Sequence, residues 1–193
     1  MKAAWYERQG PAREVLQVGE LPDPEPGPGE LRIRICVSGV TVDDVTRRRA
    51  DSGFAMSASR VIPHGDGAGE VDRVGEGVSG DWVGERVWCF GADRRDGGGT
   101  AAEYAVVPAR QAVLLPAGIT MDQGACLGTA GIMGHRAVNV AGPVSGRTVL
   151  VRGAATSFGL SAVHMAHRAG ARVVAEVDSE AQESLAREAG ANE

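Results

Sequence analysis

The sequence has no excess of positive charge, and this absence excludes one class of function. Its 193 residues carry a formal net charge of −5 at pH 7. A general nucleic-acid-binding protein needs a basic face to neutralise phosphates. The basic run at residues 47–49 is short and is followed by Asp51, which favours a solvated helix face. We therefore expect no nucleic-acid partner.

Long apolar runs and cysteines are also scarce. No run approaches the length of a membrane-spanning helix, and the charged N-terminus lacks the apolar core of a secretory signal. The three cysteines, Cys36, Cys89 and Cys126, are widely spaced and odd in number. This favours reduced, mostly buried thiols over a disulfide framework. We expect a cytoplasmic protein without a membrane partner.

The sequence does have a globular composition, and its first part favours β-structure. Apolar residues make up 43% and charged residues 23% of the chain, so disorder is not expected. Residues 1–118 consist largely of short extended segments separated by glycines, such as the alternating pattern from Leu31 to Ile35. This spacing predicts a barrel-like or sandwich arrangement. Thr41 is predicted to cap a short helix, and the glycine-rich residues 91–100 are predicted to form an exposed loop.

Residues 119–193 have a different pattern. Thr120 and Gln123 form a capping-box pattern before a long helix-like segment of small and apolar residues. A continuous apolar strand is predicted at Thr148–Val151, of the kind buried on both faces of a parallel sheet. A helix, a second strand and a final helix capped by Ser179 follow. This order predicts a βαβα unit with a right-handed crossover, so the fold class is α/β with a β-rich first part.

The segment VLVRGAATSFG, residues 149–159, has the pattern of a phosphate-binding turn between a strand and a helix. Backbone N–H groups at a helix N-terminus can bind a pyrophosphate if small residues let the chain approach it. Gly153 ends the strand, and Gly159 lets the helix pack closely on it. The position of the turn within a βαβ unit favours a dinucleotide over the alternative, a small-residue turn without a ligand.

Thr156 occupies the position of the second glycine of the G-x-G-x-x-G fingerprint. Its β-branched side chain obstructs close approach, although its hydroxyl could donate to a phosphate oxygen. The predicted cofactor-binding residues of the turn are Gly153, Ala154, Ala155, Thr156, Ser157, Phe158 and Gly159.

Five segments of the chain appear in an order typical of a known family. They are LPDPEPGPGELRIRICVSGV, VIPHGDGAGEVDRVGEGVSG, VGERVW, GTAAEYAVVPA and VLVRGAATSFGLSAVHMAHRAGARVVA. Together they resemble the medium-chain dehydrogenase/reductase superfamily, specifically its zinc-independent quinone oxidoreductase branch. The resemblance implies a GroES-like β-barrel domain of catalytic type at residues 1–118. It also implies the first βαβα part of a Rossmann doubly wound parallel sheet at residues 119–193.

The activity implied by the resemblance is hydride transfer from NADPH to a small quinone or activated enone, commonly within a homodimer. The resemblance also implies a longer protein, since a doubly wound domain has about six parallel strands and this sequence supplies two. We expect a C-terminally truncated chain. A gene fragment, a shortened protein and one half of a split protein are all open, and activity of the 193 residues alone is in question.

The zinc-dependent branch of the superfamily provides a comparison for a metal site. Its ligand positions fall on Thr41, on Gly65 with His64 one place away, and near Gly128. These residues do not supply the His, Cys and carboxylate set that tetrahedral zinc needs. We therefore predict no metal.

No catalytic acid or base is assigned from the sequence. Thr41 stands where the family commonly has an asparagine near the nicotinamide, which makes it the catalytic candidate, although its role as a helix cap explains it equally well. Other family positions differ at Ala130, Met133 and Thr156. The alternative function is therefore a non-catalytic relative, or a fragment that acts as a binding module or is completed by a partner.

The cofactor is predicted to be NADP or NAD. The family favours NADPH, but carboxylates at the end of the second strand favour a free ribose 2′-OH. Glu176 and Asp178 flank Val177, and Ser179 follows. Asp178 and Ser179 are predicted cofactor contacts, and NADH stays open. Alternatively, Asp178 only helps Ser179 to start the last helix.

Overall fold

The computed structural model describes residues 1–51, 53, 55–94 and 96–193. These residues form two compact units, Met1–Gly128 and Thr129–Glu193. The sequence pattern alone placed the domain boundary at residue 118. The short helix that starts at Met121 belongs to the first unit because it packs against strands of that unit.

The first unit is built on an antiparallel sheet. Its elements are β1 (Lys2–Trp5), α1 (Ala12–Val15), β2 (Gln17–Glu20), β3 (Glu30–Gly39), α2 (Val42–Arg49), β4 (Asp66–Val74), β5 (Arg86–Cys89), β6 (Tyr104–Pro108), β7 (Ala112–Leu114) and α3 (Met121–Ala125). Five strands pair in the order β6-β3-β4-β5-β7, while β1 and β2 form a separate antiparallel pair. A bridge between Ala3 and Ala102 connects this pair to the rest of the unit. The β-rich first part of the α/β fold class is confirmed.

The core of the first unit lies on one face of this sheet. Leu31 and Ile33 of β3 are fully buried and pack with Val71, Val87 and Val107 from the neighbouring strands. Burying such a side chain contributes about 1.5–3 kcal/mol relative to leaving it exposed. The apolar positions of the predicted alternation in β3 therefore face the core.

Arg32, between two core residues of β3, departs from that alternation because its side chain is only 6% exposed. Its guanidinium donates two hydrogen bonds to the Asp72 carboxylate, at 3.0 and 2.8 Å. It also donates to the Pro24 carbonyl at 3.1 Å and lies 4.8 Å from the centre of the Tyr104 ring. The pairing of β3 with β4 has a register irregularity between Arg32 and Ile33.

The glycine-rich segment 91–100 is not the exposed loop predicted from its sequence. Within its described residues, Gly97 and Gly99 are so close to backbone carbonyls that a side chain at either position would overlap Arg60 O or Ile62 O. Thr100 is only 1% exposed. Composition indicated a loop, but it could not indicate that the loop packs against its own unit.

The second unit has the predicted alternation of strands and helices. Its elements are α4 (Ile132–Asn139), β8 (Thr148–Val151), α5 (Ser157–Arg168), β9 (Arg172–Ala175) and α6 (Glu180–Glu188). β8 and β9 are parallel, with Val151 opposite Ala175. Val163 and Val173 are fully buried between helix and sheet. The βαβα unit is confirmed.

Two details of the second unit differ from the expectation. The strand β8 is not buried on both faces, since Leu150 is 62% exposed and only Val151 of this strand is buried. Among the described residues β8 pairs with β9 alone. The last two residues pair with the other edge of β9, where the Asn192 N–H donates to the Val173 carbonyl at 2.8 Å.

The helix-like segment that begins at Thr120 is interrupted. The capping box of Thr120 and Gln123 is formed, but α3 ends at Ala125. Gly128 then takes a non-helical conformation, with φ −55° and ψ −116°. A side chain at Gly128 would overlap the Asp66 carboxylate, so this glycine allows a close approach that the helical periodicity did not reveal.

The cysteines also differ from the expectation. Cys89 is buried, and burial raises the pKa of its thiol to about 12. Cys36 and Cys126 are exposed, which corrects the prediction of mostly buried thiols. No helix in the described part of the chain is long and apolar enough to cross a membrane.

The Arg32–Asp72 pair generates a stability prediction. Asp72→Asn leaves the buried guanidinium with Glu25 as its remaining charged partner, and we expect a loss of about 2 kcal/mol in the free energy of unfolding. The matched control is Glu70→Gln, which removes the exposed pair of Arg34 and Glu70 and should cost less than about 0.5 kcal/mol. Urea denaturation measures both, and equal losses in the two variants would contradict the assignment.

Candidate functional site

The turn from β8 to α5 depends on two glycines. Gly153 has φ +63°, a left-handed conformation that side chains with a Cβ disfavour. A Cβ on Gly159 would overlap the Gly153 carbonyl oxygen and lie 2.7 Å from Ala154 Cα. Glycine at both positions therefore lets the first turn of α5 lie directly against the end of β8. Ala154 is buried, and the adjoining Ala155 is partly buried.

Thr156 has a specific role in this turn. It is the N-cap of α5, and its hydroxyl accepts a hydrogen bond from the Gly159 N–H at 3.0 Å. The same hydroxyl donates to the Gly153 carbonyl at 2.8 Å. The single hydroxyl proton of Thr156 is therefore directed into the turn. The sequence had allowed the alternative, in which this hydroxyl donates outward to a phosphate oxygen.

The start of α5 leaves backbone donors for an anion. Ser157 and Phe158 are the first two residues of the helix, and N–H groups at these positions have no intrahelical acceptor. The aligned peptide dipoles add partial positive charge at this end. Ser157 is exposed and Phe158 is partly exposed, so both donors lie at an accessible turn.

The end of β9 lies next to this turn because the two strands are parallel. The Ala154 N–H donates to the Glu176 carbonyl at 3.1 Å, and the Glu176 N–H donates to the Val151 carbonyl at 2.9 Å. Asp178 and Ser179 are exposed just beyond Glu176. The structure thus brings all the sequence-predicted cofactor residues to one edge of the second unit, where their role stays a prediction.

Two alternatives were weighed for Asp178, a contact with the cofactor and a role in starting the last helix, and the second is observed in part. Ser179 is the N-cap of α6, and its hydroxyl accepts from the Gln182 N–H at 3.4 Å. The Gln182 side chain in turn accepts from the Asp178 N–H at 2.8 Å. The Asp178 backbone is therefore used by the cap, whereas its side chain is exposed.

The sequence analysis missed Arg152, which directly precedes Gly153. Its guanidinium donates to the Glu176 carboxylate at 2.7 Å, across the ends of β8 and β9. The expectation of a free ribose 2′-OH was drawn from Glu176 and Asp178 and did not consider this neighbouring cation. The available signal was a basic residue at the end of the first strand, since adjacent parallel strands end together.

Thr41, in the first unit, caps α2 as predicted. The Asp44 carboxylate accepts from the Thr41 N–H at 2.6 Å and from its hydroxyl at 2.9 Å. Asp44 is itself buried, with 9% exposure. The Thr41 proton is therefore held by Asp44, which supports the capping role of this residue and leaves no catalytic role observed.

A second polar cluster, made of Ser38, His64 and Thr100, was not recognised in the sequence. Ser38 Oγ lies 2.8 Å from His64 Nδ1 and 2.8 Å from Thr100 Oγ1. His64 has a positive φ of 74°, which is uncommon for a residue with a side chain. Within the described residues, no group of three or more His, Cys, Asp or Glu side chains is arranged to hold a metal ion.

Comparison with known proteins identifies the family. Residues 27–117 match the alcohol dehydrogenase GroES-like domain. The quinone oxidoreductase of Rattus norvegicus is 31% identical over 190 residues, which cover 97% of this chain and 56% of the relative. That of Pseudomonas aeruginosa is 32% identical over 182 residues, or 92% of this chain and 53% of the relative. The chain belongs to the medium-chain dehydrogenase/reductase superfamily.

Solved structures agree with this assignment. The mycobacterial protein Rv1454c, solved in complex with NADPH, superimposes with a TM-score of 0.83 at 28% identity, covering 100% of this chain and 56% of that one. An NAD-dependent alcohol dehydrogenase gives a TM-score of 0.86 at 29% identity, covering 100% of this chain and 62% of that one. The chain is quinone oxidoreductase-like and spans little more than half the length of its quinone oxidoreductase relatives.

The close approach at Gly159 generates a second prediction. Gly159→Ala places a methyl group against the Gly153 carbonyl, so we expect the second unit to lose about 2 kcal/mol of stability through overpacking. Gly131→Ala is the matched control, because that glycine has helical φ and no atom within 4 Å of a new Cβ. Amide hydrogen exchange in α5 and β8 measures the effect. Equal protection in the two variants would contradict the packing argument.

Proposed function

We propose that this chain is part of a zinc-independent, NAD(P)H-dependent oxidoreductase that transfers hydride to a small quinone or activated enone. The observation that carries the proposal is the turn from Gly153 to Gly159, whose donors lie beside the end of β9 in a chain with quinone oxidoreductase relatives. A homodimer and a cytoplasmic location stay predictions from the resemblance.

The residues of the second unit fit a dinucleotide. Ser157 and Phe158 would bind the pyrophosphate through backbone N–H groups, and the close packing at Gly153 and Gly159 would let it approach. The end of β9 is where an adenosine ribose binds in folds of this class. When bound, the nicotinamide supplies hydride; the chain supplies its position and the surroundings of the substrate.

The proposed activity has a direct test. We expect the purified protein to oxidise NADPH or NADH in the presence of 1,4-benzoquinone or 2-cyclohexen-1-one, followed by the loss of nicotinamide absorbance. The longer protein, where the gene encodes one, is assayed beside the 193-residue chain. No turnover by either protein with either cofactor would contradict the function.

The alternative of a non-catalytic relative is separated by binding. Titration of NADPH fluorescence shows saturable binding if the turn from Gly153 to Gly159 holds a dinucleotide. Saturable binding without turnover favours the binding module, and turnover favours the oxidoreductase.

The preference between NADPH and NADH depends on the ion pair of Arg152 and Glu176. Paired with Glu176, Arg152 reduces the negative charge that would repel a 2′-phosphate. Because this pair is exposed on both sides, with 79% and 50% of the side chains accessible, exchanging Glu176 for a phosphate would involve little desolvation. Arg152 is therefore the residue of this chain suited to a 2′-phosphate, and Asp178 is suited to a free 2′-OH.

Arg152→Gln tests this assignment. We expect the Kd for NADPH to rise about tenfold, corresponding to one lost charge-assisted hydrogen bond, while the Kd for NADH changes by less than about threefold. Arg172→Gln is the matched control, because Arg172 pairs with Glu193 at the opposite end of β9. An equal rise for both cofactors in the Arg152 variant would show that this residue does not discriminate between them.

A further inference from the structure

The cluster of Ser38, His64 and Thr100 contains a chain of hydrogen bonds whose direction can be derived. Thr100 Oγ1 lies 2.5 Å from the Asp66 carbonyl oxygen, which can only accept. Thr100 therefore uses its one proton there and accepts from Ser38. Ser38 in turn has spent its own proton, so it must accept from His64 Nδ1. The neutral imidazole of His64 thus carries its proton on Nδ1 and has a free lone pair on Nε2.

The backbone around His64 fixes this orientation. The Thr100 N–H donates to the His64 carbonyl at 2.8 Å, and the neighbouring Ala101 N–H donates to the Pro63 carbonyl at 3.1 Å. These bonds hold His64 in its left-handed conformation, which is unfavourable in a residue other than glycine. His64 is partly exposed, and its Nε2 has no hydrogen-bond partner among the described residues.

His64 lies at the same end of the sheet as Thr41. Gly39, the last residue of β3, pairs with Asp66, the first residue of β4. Thr41 follows that end of β3, and His64 precedes that end of β4. Val40 and Val42, which flank Thr41, are 65% and 66% exposed. This end of the first unit therefore combines an accessible apolar surface with an imidazole that has a free nitrogen.

Burial and nearby carboxylates act on the pKa of His64 in opposite directions. Burial lowers the pKa of His64 below its usual value, while the carboxylates of Asp44 and Asp93 act in the opposite direction. Asp93 is also paired with Arg47 at 3.1 Å. Because the net shift is downward, the neutral imidazole is favoured at neutral pH, and the protonated form becomes more abundant as the pH falls.

We infer that His64 is the group that exchanges a proton with the substrate oxygen in the reaction proposed above, on which this inference rests. Hydride addition leaves negative charge on that oxygen. The protonated imidazole gives its Nε2 proton to the oxygen, so that an N–H bond breaks and an O–H bond forms. The neutral imidazole keeps the Nδ1 proton, held by Ser38, and water supplies the next proton to Nε2. Ser38 is a positioning residue, since it acts through His64.

The tautomer is tested without any turnover. Long-range ¹H–¹⁵N correlation at pH 7 distinguishes the two imidazole nitrogens, and the His64→Gln variant assigns the signals among the four histidines of the chain. We expect His64 to carry its proton on Nδ1, and Ser38→Ala to convert it to a mixture of tautomers. A proton on Nε2 in the unmodified protein would overturn the inference.

Kinetics tests the role in the reaction. With NADPH and 2-cyclohexen-1-one, His64→Gln should lower kcat about 100-fold while KM and the Kd of NADPH stay within about threefold. In the unmodified protein kcat should fall as the pH rises through a pKa lower than that of an ordinary histidine, because the protonated form is the donor. This dependence should be absent in the variant. His164→Gln, an exposed histidine of α5, is the matched control and should leave kcat and its pH dependence unchanged.

The outcomes separate this inference from the proposed function. Turnover by the unmodified protein with an unaffected His64→Gln variant overturns the role of His64 alone. If His64→Gln does not fold, Ser38→Ala decides the question: a fall of about tenfold in kcat at constant KM supports the inference, and no fall overturns it. The absence of turnover by the unmodified protein would contradict the proposed function. The NMR experiment would still show whether the Nδ1 of His64 carries the proton, as the inference requires.

Discussion

The first unit depends on the pairing of β3 with β4. The two strands can approach closely because β4 begins with alternate glycines. A Cβ at Gly69 would overlap the Arg34 carbonyl oxygen, and one at Gly67 would lie 2.9 Å from the Thr100 side chain. These close approaches explain why glycine is needed at Gly67 and Gly69 in the segment GDGAG. They place Thr100 against the start of β4, and this contact sets the positions of Ser38 and His64.

The two units contain polar groups that are assembled in different ways. In the second unit, the turn from Gly153 to Gly159 is built from glycine conformations and a helix cap, close to the pair of Arg152 and Glu176. In the first unit, the cluster of Ser38, His64 and Thr100 is built from side chains that are distant in sequence.

This difference explains how much could be predicted from the sequence. The helix caps at Thr41, Thr120 and Ser179 and the order of the βαβα unit are local patterns, and the structure confirms them. Contacts such as Arg152 with Glu176, or Ser38 with Thr100, join residues 24 and 62 positions apart. The periodic patterns of single strands and helices do not indicate contacts between residues so far apart in sequence. The buried position of Arg32 was missed for the same reason, since its partner Asp72 lies on another strand.

The exposed Leu150 has a practical consequence. One edge of β8 has no paired strand among the described residues, so a row of backbone donors and acceptors lies beside an apolar side chain. Such an edge can recruit a strand from another molecule. A high concentration of the isolated chain therefore favours self-association through β8. A charged residue introduced in place of Leu150 would oppose this association.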